Sequence, residues 1–209
     1  MSTLRAQKSA LRASMRATLR ALPAASILSQ SQRIAALVLE SPQFQQSKSV
    51  SCFMSMQGEV DTTSIVEGVL KAGKQLFVPR VDEGTMHMLR VYDEDDLSTL
   101  IPGLWGIREP EWEWKGNKRE TAVDGSIDFV VMPGMAFDRS FHRIGYGKGY
   151  YDRFLASFPV RPKTVALSLN EQLLAAGSVP VGKYDQPVDA IATPEGFVQP
   201  ISESQTGRT

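Results

Sequence analysis

SVSCFMSMQGEVDTTSIVEGVLKAGKQLFVP, residues Ser49 to Pro79, contains a complete strand, helix, strand unit. Ser49 to Ser55 is a short apolar run between polar residues, the pattern of a buried strand. Thr62 to Ala72 carries Ile65, Val69 and Leu70 at helical spacing, with Thr62 or Thr63 available as N-cap and Gly73 as the stop. Gln75 to Pro79 is apolar again and reads as a second strand. Two strands joined through a helix in so short a span run parallel, because the helix carries the chain back across the sheet face.

Working outward, His87 to Val91 is a further strand candidate, and Phe129 to Met132 (FVVM) and Thr164 to Leu169 (TVALSL) are buried strands. Residues 93–128 are polar and punctuated by Gly and Pro, which predicts a surface loop with one short helix; loops of that length are functional or mobile. Upstream, Arg5, Lys8, Arg12, Arg16 and Arg20 fall on one helical stripe, and Leu4, Leu11, Met15, Leu19 and Leu22 on another. This amphipathic helix stops near Pro23. A second begins near Ser26 and turns Ile27, Ile34, Leu37 and Val38 inward before Pro42. The pattern predicts an α/β protein with a mostly parallel sheet. One domain is expected over residues 1–200, with a flexible tail over 201–209.

The 23 Lys and Arg balance 23 Asp and Glu, which argues against a bulk polyanion such as nucleic acid as partner. Apolar residues at 42% against 22% charged supply a globular core. One cysteine, Cys52, forms no internal disulfide, and one Cys with two His makes no zinc site at a recognised spacing. No apolar run approaches the ~20 residues needed to span a bilayer. Residues 1–39 contain six basic residues and no acidic one, which fits either a mitochondrial transit leader or a first helix with a basic face.

Gly134 to Leu155 reads GMAFDRSFHRIGYGKGYYDRFL and runs from the end of a strand into a helical pattern. A glycine-rich loop in that context exposes backbone N–H groups to phosphate oxygens. Gly145, Gly147 and Gly149 alternate around Lys148, with Arg143 close by. The spacing G-x-G-x-G matches neither the Walker loop nor the dinucleotide fingerprint, so a turn or substrate-approach loop stays open beside a nucleotide cradle.

The stretch PGMAFDRSFHRIGYGKGYYDRFL resembles the signature of the 5-formyltetrahydrofolate cyclo-ligases, also called methenyltetrahydrofolate synthetases. Further blocks agree in order: Lys8 with Arg12, Phe53 to Glu59 (FMSMQGE), Phe77 to Arg80 (FVPR), Trp105 to Pro110 (WGIREP) and Val188-Asp189. The resemblance runs from about Leu4 to Ala192. It implies a single-domain, Rossmann-like three-layer fold, and an enzyme that uses ATP and magnesium to turn 5-formyltetrahydrofolate into 5,10-methenyltetrahydrofolate. The nucleotide would meet Lys8, Arg12, Arg143, Gly145, Gly147, Lys148, Gly149 and Tyr151, with Lys8, Arg143 and Lys148 acting on the transferred charge. The folate would meet Met54, Glu59, Trp105, Tyr146, Gly147, Lys148, Gly149 and Tyr150. Asp152 and Asp189 would hold Mg²⁺, a metal satisfied by one or two carboxylates plus water and phosphate.

Arg16 and Arg20 read as a solvated face, Cys52 as strand core, and His87 and His142 as non-catalytic. Tyr146 stands where some relatives carry a basic residue, which puts more weight on Arg143 and Lys148. The expected partners are the folate and ATP alone, with no nucleic acid, membrane or second subunit, and the expected compartment is the cytoplasm with the mitochondrion as alternative. Two other readings stay open at this level: a catalytically silent folate- or nucleotide-binding relative, and a phosphosugar or CoA-ester enzyme on a similar scaffold.

Overall fold

The computed structural model of the protein describes residues 3–103, 106–122 and 126–200. Helix α1 (Leu4–Arg20) begins where the Thr3 hydroxyl accepts from the Ala6 N–H. Pro23 then starts α2 (Ala24–Glu40), and Ser41 caps the short α3 (Pro42–Gln46) by accepting from Phe44 N–H. The unit that follows is strand β1 (Ser49–Cys52), α4 (Thr63–Lys71) and β2 (Gln75–Asp82), with β1 and β2 parallel as the spacing predicts. Strand β1 ends three residues earlier than predicted. Phe53 to Met56 instead form its exit, tied down by the Thr62 hydroxyl, which donates to Phe53 O and accepts from Ser55 N–H.

Strand β3 (Thr85–Val91) turns back antiparallel on β2. The chain then makes α5 (Glu94–Ser98) and four two-residue strands, β4 (Ile101–Pro102), β5 (Arg108–Glu109), β6 (Glu113–Trp114) and β7 (Asn117–Lys118). This stretch contains the short predicted helix, yet part of it is pinned. Arg119 donates two bonds to Asp96, Nη2 to Oδ1 at 2.5 Å and Nη1 to Oδ2 at 2.6 Å, and both side chains are buried. The same guanidinium donates to Glu111 O and Arg90 O, so its charge and its geometry are both answered.

After β8 (Phe129–Met132) come β9 (Ala136–Asp138), β10 (Arg143–Ile144) and α6 (Tyr150–Ala156). Strand β11 (Lys163–Leu167), the short β12 (Leu173–Leu174), β13 (Ala190–Thr193) and β14 (Gly196–Phe197) complete the chain. The central sheet has the order β14-β13-β11-β8-β1-β2-β3, parallel except at its two edge strands. Every residue of β1 and β8 is buried, which requires cover on both faces of the sheet. The architecture is the α/β, mostly parallel one expected from the sequence.

Two features of this topology position a site. Strands β2 and β8 leave β1 on opposite sides, so the sheet reverses its order there, and in open α/β sheets the crevice at such a reversal, outside the carboxyl ends of the strands, is where ligands bind. A second, small sheet of order β10-β9-β12 stands beside that edge. Met15 of α1 packs onto it against Met135, Ala136, Ile144 and Val179. A buried side chain of this size contributes ~1.5–3 kcal/mol, and this contact lays the basic helix over the loop that follows β10.

Candidate active site

A cavity of about 270 Å³ opens at the carboxyl ends of β1 and β8. Its apolar side is built by the exits of β1 and the strands beyond it: Phe53, Met54, Pro79, Val81, Met86 and Ile107. Its polar side is the loop from Gly145 to Gly149, the start of α6, and Lys8 and Arg12 reaching across from α1. The Gly145–Gly149 run that the sequence singled out and the distant amino-terminal cations therefore meet at one place.

Local backbone explains the loop. Gly147 has φ +98°, a region closed to most L-residues, and a Cβ there would lie 3.2 Å from the Arg12 guanidinium carbon. Gly149 adopts a left-handed conformation (φ +68°) as it starts α6. Arg12 Nε donates to Gly145 O at 2.8 Å, and Arg153 donates to Lys148 O, so both ends of the loop are held while the Lys148 side chain remains exposed.

Arg143 is buried and tied, donating to Pro133 O and to Asp152 Oδ1, each at 3.2 Å. Asp152 Oδ1 also accepts from the Gln186 N–H. The preceding residue, Asp185, lines the cavity and holds Lys8 Nζ at 2.5 Å. The sequence pattern does not mark Asp185, because the block KYDQPVD contains two aspartates that pattern alone does not separate.

Asp189, paired with Asp152 in the sequence reading, is placed differently. Its Oδ2 accepts from the Thr164 N–H and hydroxyl, both at 2.8 Å, which fastens the start of β13 to the start of β11. It does not line the cavity. The carboxylate is spent as a strand tie, and the acidic residue that stands with Asp152 at the cavity is Asp185. Among the described residues no group of three metal-ligating side chains occurs.

Glu59 lies on the wall of the cavity and is 6% exposed. A turn through Gly58 folds it back so that Oε2 accepts from Met56 N–H at 3.1 Å, and Tyr146 supplies a second hydrogen bond. Burial pushes its carboxyl up to about 7, against the opposing pull of those two donors. The Tyr146 phenol is in turn pushed up, first by desolvation and then by Glu59. Tyr151, expected near the nucleotide, lines the cavity with its side chain buried and its hydroxyl without a hydrogen-bond partner among the described residues. Met54, Tyr146 and Tyr150, which the resemblance assigns to the folate, line the cavity, whereas Trp105 lies outside the described residues.

Sequence reasoning missed Glu109, a buried wall residue whose carboxyl is also raised by desolvation, with Val81 N–H and Arg80 working against the shift. Its only signal was membership of the WGIREP block. Cys52 is buried core, and desolvation pushes its thiol well up, as its assignment to the strand core required.

Fold and cavity together define an α/β protein whose switch-point crevice joins an apolar, carboxyl-bearing wall to a cationic glycine loop. The chain belongs to the 5-formyltetrahydrofolate cyclo-ligase family, whose model matches residues 4–194. A mouse 5-formyltetrahydrofolate cyclo-ligase is 36% identical over 196 residues, covering 90% of this chain and 94% of its own. The Arabidopsis thaliana enzyme, named as mitochondrial, is 36% identical over 220 residues, 96% of this chain and 78% of its own. Among solved structures, a 5,10-methenyltetrahydrofolate synthetase from Aquifex aeolicus superposes with a TM-score of 0.77 at 29% identity, over 97% of this chain and 95% of its own. No helix among the described residues is long and apolar enough to cross a membrane.

Proposed function

We propose that this protein closes 5-formyltetrahydrofolate to 5,10-methenyltetrahydrofolate at the expense of ATP. The observation that carries the reading is the meeting of Lys8, Arg12 and the Gly145–Gly149 loop with Glu59 in one cavity. A pterin presents ring N–H and amino donors along one edge, and Glu59 is an acceptor held by Met56 and Tyr146 beside the apolar surface of Met54. The cations opposite suit a polyphosphate.

The formyl group on N5 is an amide carbon with no good leaving group. Transfer of the γ-phosphoryl to its oxygen forms an O–P bond as the bond to ADP breaks. The N10 lone pair then attacks the activated carbon, the C–O bond breaks to release phosphate, and N10 gives up its proton to leave the amidinium ring. None of this requires a protein nucleophile. Lys148, exposed on its loop, and Arg12 neutralise charge that moves toward the bridging oxygen, while Arg143 orients Asp152. Lys8 is held by Asp185 and is poised to exchange that carboxylate for a phosphate oxygen.

Magnesium fits the acceptor set. Asp152 Oδ2 and Asp185 Oδ1 carry no hydrogen bond among the described residues, and the Asp152 to Gln186 bond keeps the two residues adjacent. These two would hold the ion, which supplies neutralisation of the β- and γ-phosphate charge when bound. The neutral net charge fits two small-molecule partners better than a bulk polyanion, and the packing of Met15 makes α1 part of the folded domain. Incubation with 5-formyltetrahydrofolate and MgATP tests the reading, since the conjugated methenyl product absorbs in the near ultraviolet. Binding of both ligands without that absorbance would leave only a silent binding relative.

A further inference from the structure

Tyr151, the second residue of α6, lines the cavity with a side chain only 9% exposed. Its ring is fixed by the Arg143 guanidinium, which stands over the face at 5.8 Å from the ring centre. The hydroxyl is shut off from solvent and has no hydrogen-bond partner among the described residues. Leaving a buried donor unanswered costs folding free energy, so such an atom at the wall of a cavity points to a partner that arrives with the ligand.

The surroundings of this hydroxyl say which ligand atom it meets. Burial pushes the phenol up, Cys52 and Glu59 add to that, and Arg143 pulls the other way, so the group is a neutral donor close to the Glu59 carboxylate. The other hydroxyls of the cavity are placed differently. Tyr146 stands on the border with a neighbouring cavity between α1 and α2, rimmed by Arg16 and Arg20, and its hydroxyl is spent on Glu59. Tyr150 is half-buried with its ring beneath Arg153, and no Ser or Thr occurs among the described residues of the wall. Tyr151 is therefore the buried, unspent donor beside Glu59.

Along one edge a pterin carries an amino group, a ring N3–H and a 4-oxo oxygen, which are two donors followed by an acceptor. A carboxylate answers the donors and repels the oxygen. We propose that Tyr151 reads the 4-oxo group of the folate, donating to that oxygen while Glu59 accepts from N3–H and the amino group, and so selects against 4-amino pterins. A 4-amino group would set donor against donor at Tyr151 and would leave N3 without its hydrogen at Glu59. The proposal rests on the folate reading above, and it gives Tyr151 the pterin in place of the nucleotide contact that the family resemblance implies.

The test measures calorimetric binding of 5-formyltetrahydrofolate and its 4-amino-4-deoxy counterpart to the wild type and to Tyr151→Phe. The wild type should prefer the 4-oxo ligand. The variant should bind that ligand roughly tenfold more weakly, because its oxygen is then buried without a donor, and should bind the 4-amino ligand as tightly as the wild type or more so. ATP should bind both proteins alike. Without ligand the variant should melt no lower than the wild type, since it loses an unanswered polar atom and no bond of the fold, a readout that separates ligand recognition from a structural role. Undiminished affinity for the 4-oxo ligand, equal weakening of both ligands, a lower melting temperature without ligand, or a loss that falls on ATP overturns the assignment of Tyr151 while leaving the folate reading in place. A wild type that binds neither folate overturns both.

Discussion

The substitution Glu59→Gln should make the protein more stable and less able to bind folate, with both effects set by pH. Burial holds the Glu59 carboxyl at about 7, where an exposed glutamate sits at 4.5. The gap of about 2.5 pH units corresponds to an upper bound of ~3 kcal/mol, the cost of ionising the group in the folded cavity relative to the unfolded chain. The direction is opposite to that of an ion-paired carboxylate. Between pH 4.5 and 7 the folded protein binds the extra proton, so unfolding free energy falls as pH rises through this window and is level above it. A glutamine side chain carries no such cost, and its amide can still accept from Met56 N–H while donating to the Tyr146 oxygen. The difference between variant and wild type should therefore be smallest near pH 5 and grow above it. By pH 8 the variant should melt higher by roughly 6–12 °C at the upper bound, at ~2–4 °C per kcal/mol for a chain of this size. Thermal melts without ligand at pH 5, 6, 7 and 8 give the difference directly, and subtraction removes titrations common to both proteins. Folate affinity should rise with pH to about 7 in the wild type and stay low and level in the variant. A stability difference independent of pH would refute the argument that the cavity destabilises an ionised carboxylate at this position.

Three further outcomes follow from the same site and fold. Lys148→Ala should lower turnover on the order of 10²-fold with its circular dichroism unchanged, because an exposed loop lysine contributes to the transferred charge and little to packing; normal turnover would remove it from the catalytic set. Asp152→Asn and Asp185→Asn should each raise the Mg²⁺ concentration needed for half-maximal rate, whereas Asp189→Asn should lower the urea midpoint and leave the Mg²⁺ requirement alone; the reverse pattern would return Asp189 to the metal. Arg119→Ala should cost ~3–5 kcal/mol in urea unfolding, since it leaves the buried Asp96 carboxylate without its partner, and a loss below ~1 kcal/mol would contradict a closed ion pair there.

What was legible in the sequence follows from the range of the interactions involved. The β1, α4, β2 unit shows in apolar spacing because each side chain's burial depends on neighbours two to four residues away. The Arg119–Asp96 pair joins residues 23 apart inside a polar stretch, so nothing in either neighbourhood distinguishes it from a solvated loop. Asp185 and Asp189 differ for a similar reason. Both precede the last parallel strand, but Asp189 sits where β13 must be fastened to Thr164, and four residues earlier the chain has crossed to the cavity. A glycine loop between strand and helix could be named as an anion site from its own residues, while the identity of the cations that reach it depended on where α1 docks.

The docking of α1 also explains why one basic stripe divides into two halves. At 1.5 Å per residue, Lys8 and Arg20 stand roughly 18 Å apart along the helix, too far for a single triphosphate to collect the whole stripe. Burial of Met15 fixes the rotation of the helix, and the loop at Gly145 then meets only the amino-terminal half. Lys8 and Arg12 are answered there by Asp185 and Gly145, and Arg16 and Arg20 pass beyond the loop to the rim of the neighbouring cavity.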